Sequence, residues 1–370
     1  MFVLTESQLL ADLNQAFRDA IIGKSSKPYV LRFASHLEEN LEELCEELWT
    51  RTYKPRPSSC FIITYPKQRE VFAAEFRDRV VHHLYYNYTY ELFSRTFIQD
   101  TYSCLPERGT HYGIDRLEMH IRQESLNWTM PCYVLKMDIS GYFMHINRNA
   151  LLSLCLETFR KMSPRRILKR VPVRWCDRID FDFIEYLTRE IVLLDPAVNC
   201  RIVGSLSDWD GLPDSKSIFH TPDGCGLPIG NLTSQLFSNV YLNVLDQWMK
   251  RDLGCRHYGR YVDDFYVVSC DRRWLESIEP KVDSFLRDNL GLALKRSKTE
   301  LRDVRHGVQF LGAFLLPHRR YASKNTVRHI RECVDALDIS DSVHCSAVLN
   351  SCLGVLSHYR SYNICRSLLS

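Results

Sequence analysis

The chain has 370 residues, of which 45% are hydrophobic and 25% are charged. These values exclude a disordered chain and a small stapled scaffold, and they fit roughly two to three domains with a proper core. The 48 basic and 45 acidic residues leave a net charge of +3, which neither requires a polyanionic partner nor excludes one.

Targeting and redox signals are sparse. The 14 cysteines lie singly between Cys45 and Cys365, without the two-residue spacing of zinc and redox motifs. The first residues carry acids and lack a signal-peptide pattern, and no run of about 18 apolar residues is present. We therefore expect a soluble cytoplasmic protein with reduced thiols and no membrane partner.

Helical and strand patterns alternate along the first two thirds of the chain. Leucines at three-and-four spacing predict packing helices over residues 5–50, and the alternation in FIITYP predicts a strand within 53–66. Residues 70–95 are predicted to be a helix with an apolar stripe and a basic flank that includes Arg77 and Arg79. An irregular stretch at 159–222 contains one helical pattern, FDFIEYLTREIVLL.

The sequence patterns from the loop GLPIGNLTSQ to residue 370 are more regular than those of the stretch 159–222. The loop GLPIGNLTSQ opens into a predicted helix, and another amphipathic helix is predicted near 273–290. The segment VQFLGAFLLP is a hairpin candidate, and the tail 323–370 is predicted to be helical with a basic start.

Three acids occupy positions where charge is costly. Asp138 closes the apolar run YVLKMD, and an Asp that ends a buried strand must be paired or bind a metal. Asp263 and Asp264 are predicted at the turn between strands 258–262 and 265–268. Taken alone, an Asp-Asp pair is more often a solvated turn.

A sheet that unites these strands would gather three carboxylates. Such a cluster repels itself unless hard divalent cations such as Mg²⁺ lie within it. Two cations about 3.5–4 Å apart can stabilise the attacking and leaving oxygens of a phosphoryl transfer.

The context of these acids resembles the reverse transcriptases. The resembling blocks follow the family order: IITYPKQREVF, FRDRVVHHLY, FIQDTYSCLPERGTHYGIDRL, VLKMDISGYF, GLPIGNLTSQ, YVDD, LKRSKTEL and FLGAFL. The resemblance implies an RNA-directed DNA polymerase, a nucleotidyltransferase, with an α+β right-hand fold. It places N-terminal helices and fingers at 1–130, an antiparallel-sheet palm at 131–322 and a short helical thumb at 323–370. The insertion at about 159–222 would belong partly to the fingers.

The same resemblance assigns the site residues. Asp138, Asp263 and Asp264 would be the catalytic carboxylates and, with the backbone of Ile139, would hold two Mg²⁺ ions, for which Mn²⁺ can substitute. Phe143, five residues after Asp138, matches the aromatic gate that rejects a ribose 2′-hydroxyl. The implied nucleotide-binding residues are Lys67, Arg69, Phe143, Ile229, Gly230 and Lys298. The implied primer and template residues are Gln235, Tyr261, Phe310, Leu311 and Gly312.

The nucleotide-pocket loop departs from the pattern of most reverse transcriptases, and this difference points to one group within the family. Ile229-Gly230 stands where many reverse transcriptases have Gln-Gly, and Ser234-Gln235 stands where Ser-Pro is usual. With the upstream LPDSKSIF, this loop resembles the reverse transcriptases of diversity-generating retroelements, which copy a template RNA with errors at adenines. That group implies low fidelity, a bacterial or phage source, and as partners a template RNA, a cDNA or primer, dNTPs and a small basic accessory variability protein. We expect Ile229 to loosen the check on base-pair geometry.

Nucleic-acid binding requires cations along a groove. The candidates are the stretches 165–170 and 317–331 and the helix with Arg77 and Arg79, although each could equally be a solvated helix face.

Two other functions stay open. One is a bacterial anti-phage defence reverse transcriptase of the retron or abortive-infection type, although retrons usually carry YADD. The other is a non-catalytic RNA-binding relative, against which the three intact acids argue.

Overall fold

The computed structural model describes residues 2–65, 67–168, 172–338 and 341–369. Its 13 helices are α1 Glu6–Ala20, α2 Pro28–Ala34, α3 Leu37–Trp49, α4 Phe76–Ser94, α5 Thr110–Glu124, α6 Tyr142–His145, α7 Arg148–Met162, α8 Phe181–Val192, α9 Leu232–Arg251, α10 Arg272–Leu290, α11 Lys324–Asp335, α12 Ser342–Leu356 and α13 Tyr362–Leu369. Its strands are β1 Ser58–Ile63, β2 Arg69–Ala73, β3 Tyr133–Asp138, β4 Cys200–Ile202, β5 His257–Tyr261, β6 Asp264–Ser269, β7 Glu300–Asp303, β8 Val308–Phe310, β9 Ala313–Leu316 and β10 Arg319–Ala322. The predicted α+β class is confirmed.

The chain forms two compact units. The first contains Met1–Ile98, Ser140–Asp246 and Phe285–Ala293, and the second contains Gln99–Ile139, Gln247–Ser284 and Leu294–Ser370. The predicted division into fingers, palm and thumb is a functional division and stays a prediction.

The first unit combines packed helices with a small sheet. Helix α1 packs on α3 and α4 through buried leucines such as Leu9 and Leu13, and the side chain of Thr5 caps its N-terminus. The sheet has the order β2-β1-β4, in which β4 pairs parallel to β1. The pair of packing helices predicted over 5–50 is present as α1 and α3, and a short third helix that was not predicted, α2, lies between them. Strand β4 was not foreseen because it spans three residues.

The prediction of a single helix over 70–95 is wrong at its start. Residues Arg69–Ala73 form β2, antiparallel to β1, and the helix begins only at Phe76. Burial alternates along β2, with Arg69 exposed and Glu70 and Phe72 buried, so this segment follows the two-residue period of a strand.

A buried carboxylate on β2 holds part of the irregular stretch. Glu70 is 1% exposed and accepts hydrogen bonds from Trp209 Nε1 at 2.7 Å, Ser217 Oγ at 2.9 Å and the backbone N–H of Ile218 at 2.7 Å. Three donors compensate the loss of hydration of this charge. The segment 209–218 therefore depends on Glu70 for its attachment to the sheet.

The second unit is built on a four-stranded antiparallel sheet of order β5-β6-β3-β7. A second sheet, β10-β9-β8, contains the predicted hairpin of VQFLGAFLLP. Their common core includes Val134, Tyr266, Val308 and Phe310, together with Leu117 and other apolar side chains of α5. Helices α11–α13 form the predicted helical tail.

No helix in the part of the chain that the structure describes is long and apolar enough to cross a membrane.

We predict that Glu70→Gln lowers the free energy of unfolding by about 1–3 kcal/mol. The –NH₂ group of the glutamine would face a hydrogen-bond donor, where the carboxylate oxygen of Glu70 now accepts a hydrogen bond. Urea unfolding measures this change. Glu46→Gln on the exposed surface of α3 is the matched control and should stay within about 0.5 kcal/mol of the wild type. Equal stability of the two variants would contradict the anchoring role of Glu70.

Candidate active site

The antiparallel pairing of β3 with β6 sets the geometry of the acids. Its register runs from Tyr133 opposite Ser269 to Asp138 opposite Asp264. Directly opposed residues of an antiparallel pair have Cβ atoms about 4.5–5.5 Å apart. Two of the three predicted carboxylates are therefore cross-strand neighbours at one end of the sheet.

The third acid lies in the tight turn between β5 and β6. Tyr261 ends β5 and lies opposite Asp264, so Val262 and Asp263 alone form the connection. The prediction placed both aspartates in the turn, but Asp264 is the first residue of β6 because it pairs with both neighbouring strands. The turn is closed on its other side by the backbone N–H of Ile139, which donates to the carbonyl of Asp263 at 3.3 Å.

The electrostatics of the site show an excess of buried negative charge. The pKa of Asp264 is raised to about 6, mainly by burial and also by the charges of Asp138 and Asp263, while Lys136 and Lys298 oppose the rise. Lys298 Nζ donates to Asp138 Oδ2. Burial opposes the charge of Lys298, but the hydrogen bond to Asp138 and the three carboxylates outweigh it and raise the pKa of Lys298.

The donor set suits a hard divalent cation. Asp138 and Asp264 offer carboxylate oxygens, which Mg²⁺ prefers, and a cation would offset the repulsion that raises the pKa of Asp264. Among the residues that the structure describes, no three His, Cys, Asp or Glu side chains form a group that could hold a metal ion. The ammonium of Lys298 is the cation that contacts Asp138 in this arrangement.

The predicted primer and template residues of the second unit lie on its core. Tyr261 is half-buried against the apolar core, and buried Phe310 lies edge-on to Tyr266 with ring centroids 5.1 Å apart. Leu311 and Gly312 form the turn between β8 and β9, both with positive φ, at 46° and 84°. Gln235 belongs to the first unit, where it is exposed on α9.

The predicted nucleotide loop is built into the first unit. Phe143 and Ile229 pack against one apolar cluster of Cys60, Phe72, Met144 and Ile218. The N–H of Leu227 donates to the carbonyl of Phe143 at 2.9 Å, and the N–H of Phe72 donates to that of Ile229 at 2.7 Å.

Gly230 could not carry a side chain in this loop. Its φ is 125°, and a Cβ atom would lie 2.6 Å from the carbonyl oxygen of Phe72. The tight approach of the loop to β2 therefore requires glycine.

The predicted phosphate-binding cations are exposed. Lys67 precedes β2 and Arg69 begins it, both with their side chains accessible to solvent. Exposed cations at such positions are accessible to a polyanion.

Two of the arginines in the segments expected to bind nucleic acid are instead paired with acidic side chains. Arg77 is buried and pairs with Glu47 and Asp78, so it cannot contact a nucleic acid. Arg320, within 317–331, likewise pairs with Asp115 and Glu118. The exposed basic residues of that stretch are Arg319, Lys324, Arg328 and Arg331. The stretch 165–170 ends at Lys169 and Arg170, which lie outside the described residues.

A buried polar network in contact with β6 was not predicted from the sequence. Asp100 is 4% exposed, and Arg116 donates to both of its carboxylate oxygens at 2.6 and 3.0 Å. The hydroxyl of Tyr266 lies 2.8 Å from that of Tyr102 and 3.0 Å from His120 Nδ1. The only sequence signal was the four-residue spacing of Arg116 and His120 on one helix face.

Comparison with known proteins identifies the family. A model of the reverse transcriptases (RNA-dependent DNA polymerases) matches residues 75–315. The chain belongs to this family. The matched range contains Asp138, Asp263 and Asp264, whereas Lys67 and Arg69 precede it.

Individual relatives are distant. Protein YkfC of Escherichia coli K12 is 23% identical over 331 residues, which cover 80% of this chain and 76% of that protein. Among solved structures, Candida albicans telomerase in complex with a fragment of telomeric RNA has a TM-score of 0.49 and 12% identity, over 85% of this chain and 57% of that one. Truncated apo telomerase of Candida tropicalis has a TM-score of 0.48 and 13% identity, over 73% and 56%. The chain thus spans little more than half the length of these telomerase chains.

We predict that His120 makes stability depend on pH. Burial lowers the pKa of His120 from 6.5 to about 4, so between these values the unfolded chain takes up a proton that the folded chain does not. The stabilisation is present above pH 6.5 and is lost as the pH falls, by about 1–2 kcal/mol between pH 7 and 5.

Urea unfolding at both pH values measures this loss. In His120→Gln the loss should be smaller than in the wild type by about 1–2 kcal/mol, while His344→Gln, at an exposed position, should match the wild type. The same pH dependence in all three proteins would be inconsistent with a neutral buried His120.

Proposed function

We propose that this reverse transcriptase extends a DNA primer on a template RNA, with Asp138, Asp263 and Asp264 as its catalytic carboxylates. The observation that carries the proposal is the register of β3 and β6, which places Asp138 opposite Asp264 beside the turn that contains Asp263. A solvated β-turn would not require a buried acid on the neighbouring strand. The fingers at 1–130, palm at 131–322 and thumb at 323–370 are part of this proposal.

The carboxylates act by holding divalent cations and by orienting them. Asp138, Asp263 and Asp264 would hold two Mg²⁺ ions, which would supply activation of the primer 3′-hydroxyl and charge compensation for the leaving pyrophosphate. The backbone hydrogen bond from the N–H of Ile139 to the carbonyl of Asp263 keeps the turn beside the end of β3. Lys298 neutralises and orients Asp138 through its hydrogen bond.

The remaining residues select and hold the nucleotide. Lys67 and Arg69 contact the triphosphate, for which exposed cations are suited. Phe143 excludes a ribose 2′-hydroxyl, and its packing on a buried cluster keeps its ring in place. Gln235, Tyr261 and the segment Phe310 to Gly312 contact the primer and template.

We further propose that the enzyme serves a diversity-generating retroelement in the cytoplasm of a bacterial or phage-infected cell. Ile229 shares its apolar cluster with Phe143 and offers no hydrogen-bonding side-chain group beside the incoming nucleotide. Mispaired nucleotides opposite template adenine are then rejected less strongly. A structured template RNA and a small basic accessory protein complete the system.

Primer extension tests the polymerase. With Mg²⁺, dNTPs, an RNA template and a DNA primer, the wild type should extend the primer, and Asp263→Ala should lose at least about 10³-fold in rate because a metal-holding carboxylate is gone. Asp303→Asn is the matched control, since Asp303 lies opposite Tyr133 at the far end of β3 and should keep near-normal activity. Binding of RNA without metal-dependent extension, even with the accessory protein, would contradict the proposal and favour an RNA-binding role.

Sequencing of the extension products tests the role of Ile229. We expect Ile229→Gln to lower misincorporation opposite template adenine by about tenfold, because a hydrogen-bonding side chain restores part of the geometric check. Ile229→Leu conserves volume and polarity and should leave the error spectrum unchanged. An unchanged error rate in Ile229→Gln would exclude this residue as a source of low fidelity.

A further inference from the structure

The turn that carries Asp263 has an unfavourable backbone conformation. Val262 has a φ of 54°, in the left-handed region that β-branched residues strongly avoid. Such a conformation persists only when surrounding contacts determine it. The contacts of Val262 therefore control where the next residue, Asp263, is placed.

Two buried side chains hold the backbone of Val262 from both sides. Ser103 Oγ accepts a hydrogen bond from the N–H of Val262 at 3.0 Å, and Arg260 Nη1 donates to its carbonyl at 2.9 Å. Arg260 has no exposed surface and Ser103 is 1% exposed, so both side chains are shielded from solvent, whereas Val262 itself is half-buried. The donor of a buried guanidinium is also stronger than a neutral donor.

The segment that carries Ser103 is itself fixed to β5. The N–H of Arg260 donates to the carbonyl of Asp100, and the N–H of Tyr102 donates to that of Arg260, both at 2.9 Å. Arg108 Nη1 donates to the carbonyl of Thr101 at 2.9 Å. Residues 100–103 thus extend the sheet next to the turn and present Ser103 at a fixed position.

We infer that Arg260 and Ser103 are positioning residues of the polymerase centre, which hold Val262 in its left-handed conformation and so orient Asp263 and the start of β6. The inference rests on the proposed function of the three aspartates. Each acts on the turn through a hydrogen bond to the backbone of Val262. If these contacts are lost, Val262 relaxes toward negative φ and Asp263 turns away from Asp138.

Rescue at position 262 distinguishes positioning from general stability. Asn adopts the left-handed conformation far more readily than Val. Val262→Asn should therefore stabilise this conformation at position 262 even when the hydrogen bond from Arg260 is lost. We expect Arg260→Gln to lower kcat about 10²-fold with the KM for dNTP changed less than about twofold. Adding Val262→Asn should recover at least about tenfold in kcat, whereas Val262→Ile should recover nothing.

Two further readouts do not depend on activity. Thermal unfolding reports whether each variant is folded. Electron paramagnetic resonance measures the Mn²⁺ concentration at which the protein is half-saturated. This concentration should rise about tenfold in Arg260→Gln and fall again in the double variant. If Arg260→Gln does not fold, Ser103→Ala takes its place, because it removes only the acceptor of the Val262 N–H. We expect a smaller loss of kcat and a smaller rise in the Mn²⁺ concentration, both restored by Val262→Asn.

The outcomes separate this inference from the proposed function. A wild type without polymerase activity contradicts the proposed function itself. An active wild type together with folded Arg260 and Ser103 variants of normal kcat overturns only the inference. Reduced kcat in the variants that Val262→Asn fails to restore would also overturn it, since the loss would then not arise from the turn.

Discussion

The antiparallel register between β3 and β6 is the constraint on which the site depends. Because side chains alternate across a strand, a slip of one residue would move Asp138 to the other face of the sheet and leave Asp264 without its neighbour. The apolar partners along the two strands, such as Val134 with Val268, fix that register through burial in the core. The folding energy of the sheet thus brings together carboxylates that would otherwise repel each other.

Charge compensation is the second requirement of the fold. Buried acids recur in both units, and each accepts hydrogen bonds: Glu70 from three donors of the segment 209–218, Asp100 from Arg116, and Asp138 from Lys298. Such pairs contribute little net stability, but the loss of one partner is costly because a charge is left buried. Their common effect is to fix loops and helices next to strands of their own unit.

Much of this arrangement was predictable from the sequence. The apolar run before Asp138 and the short separation of β5 from β6 indicated strands that end at acids, because strand periodicity and tight turns are local signals. The start of α4 was misplaced because Glu70 and Arg69 in β2 look like the polar face of a helix. Arg77 was assigned to a basic surface because sequence does not reveal the partner Glu47, 30 residues earlier in the chain. The support of Val262 by Ser103 depends on a contact between residues 159 positions apart, for which no local pattern exists.

The most direct test of the central claim is a double-mutant cycle between Asp138 and Asp264 in single-turnover primer extension. If the two opposed carboxylates act as one unit, Asp138→Asn and Asp264→Asn should each reduce the rate by about 10³-fold, and the double variant should be no slower than the slower single variant. Rate losses that multiply in the double variant would show that the two acids act independently and would contradict the account.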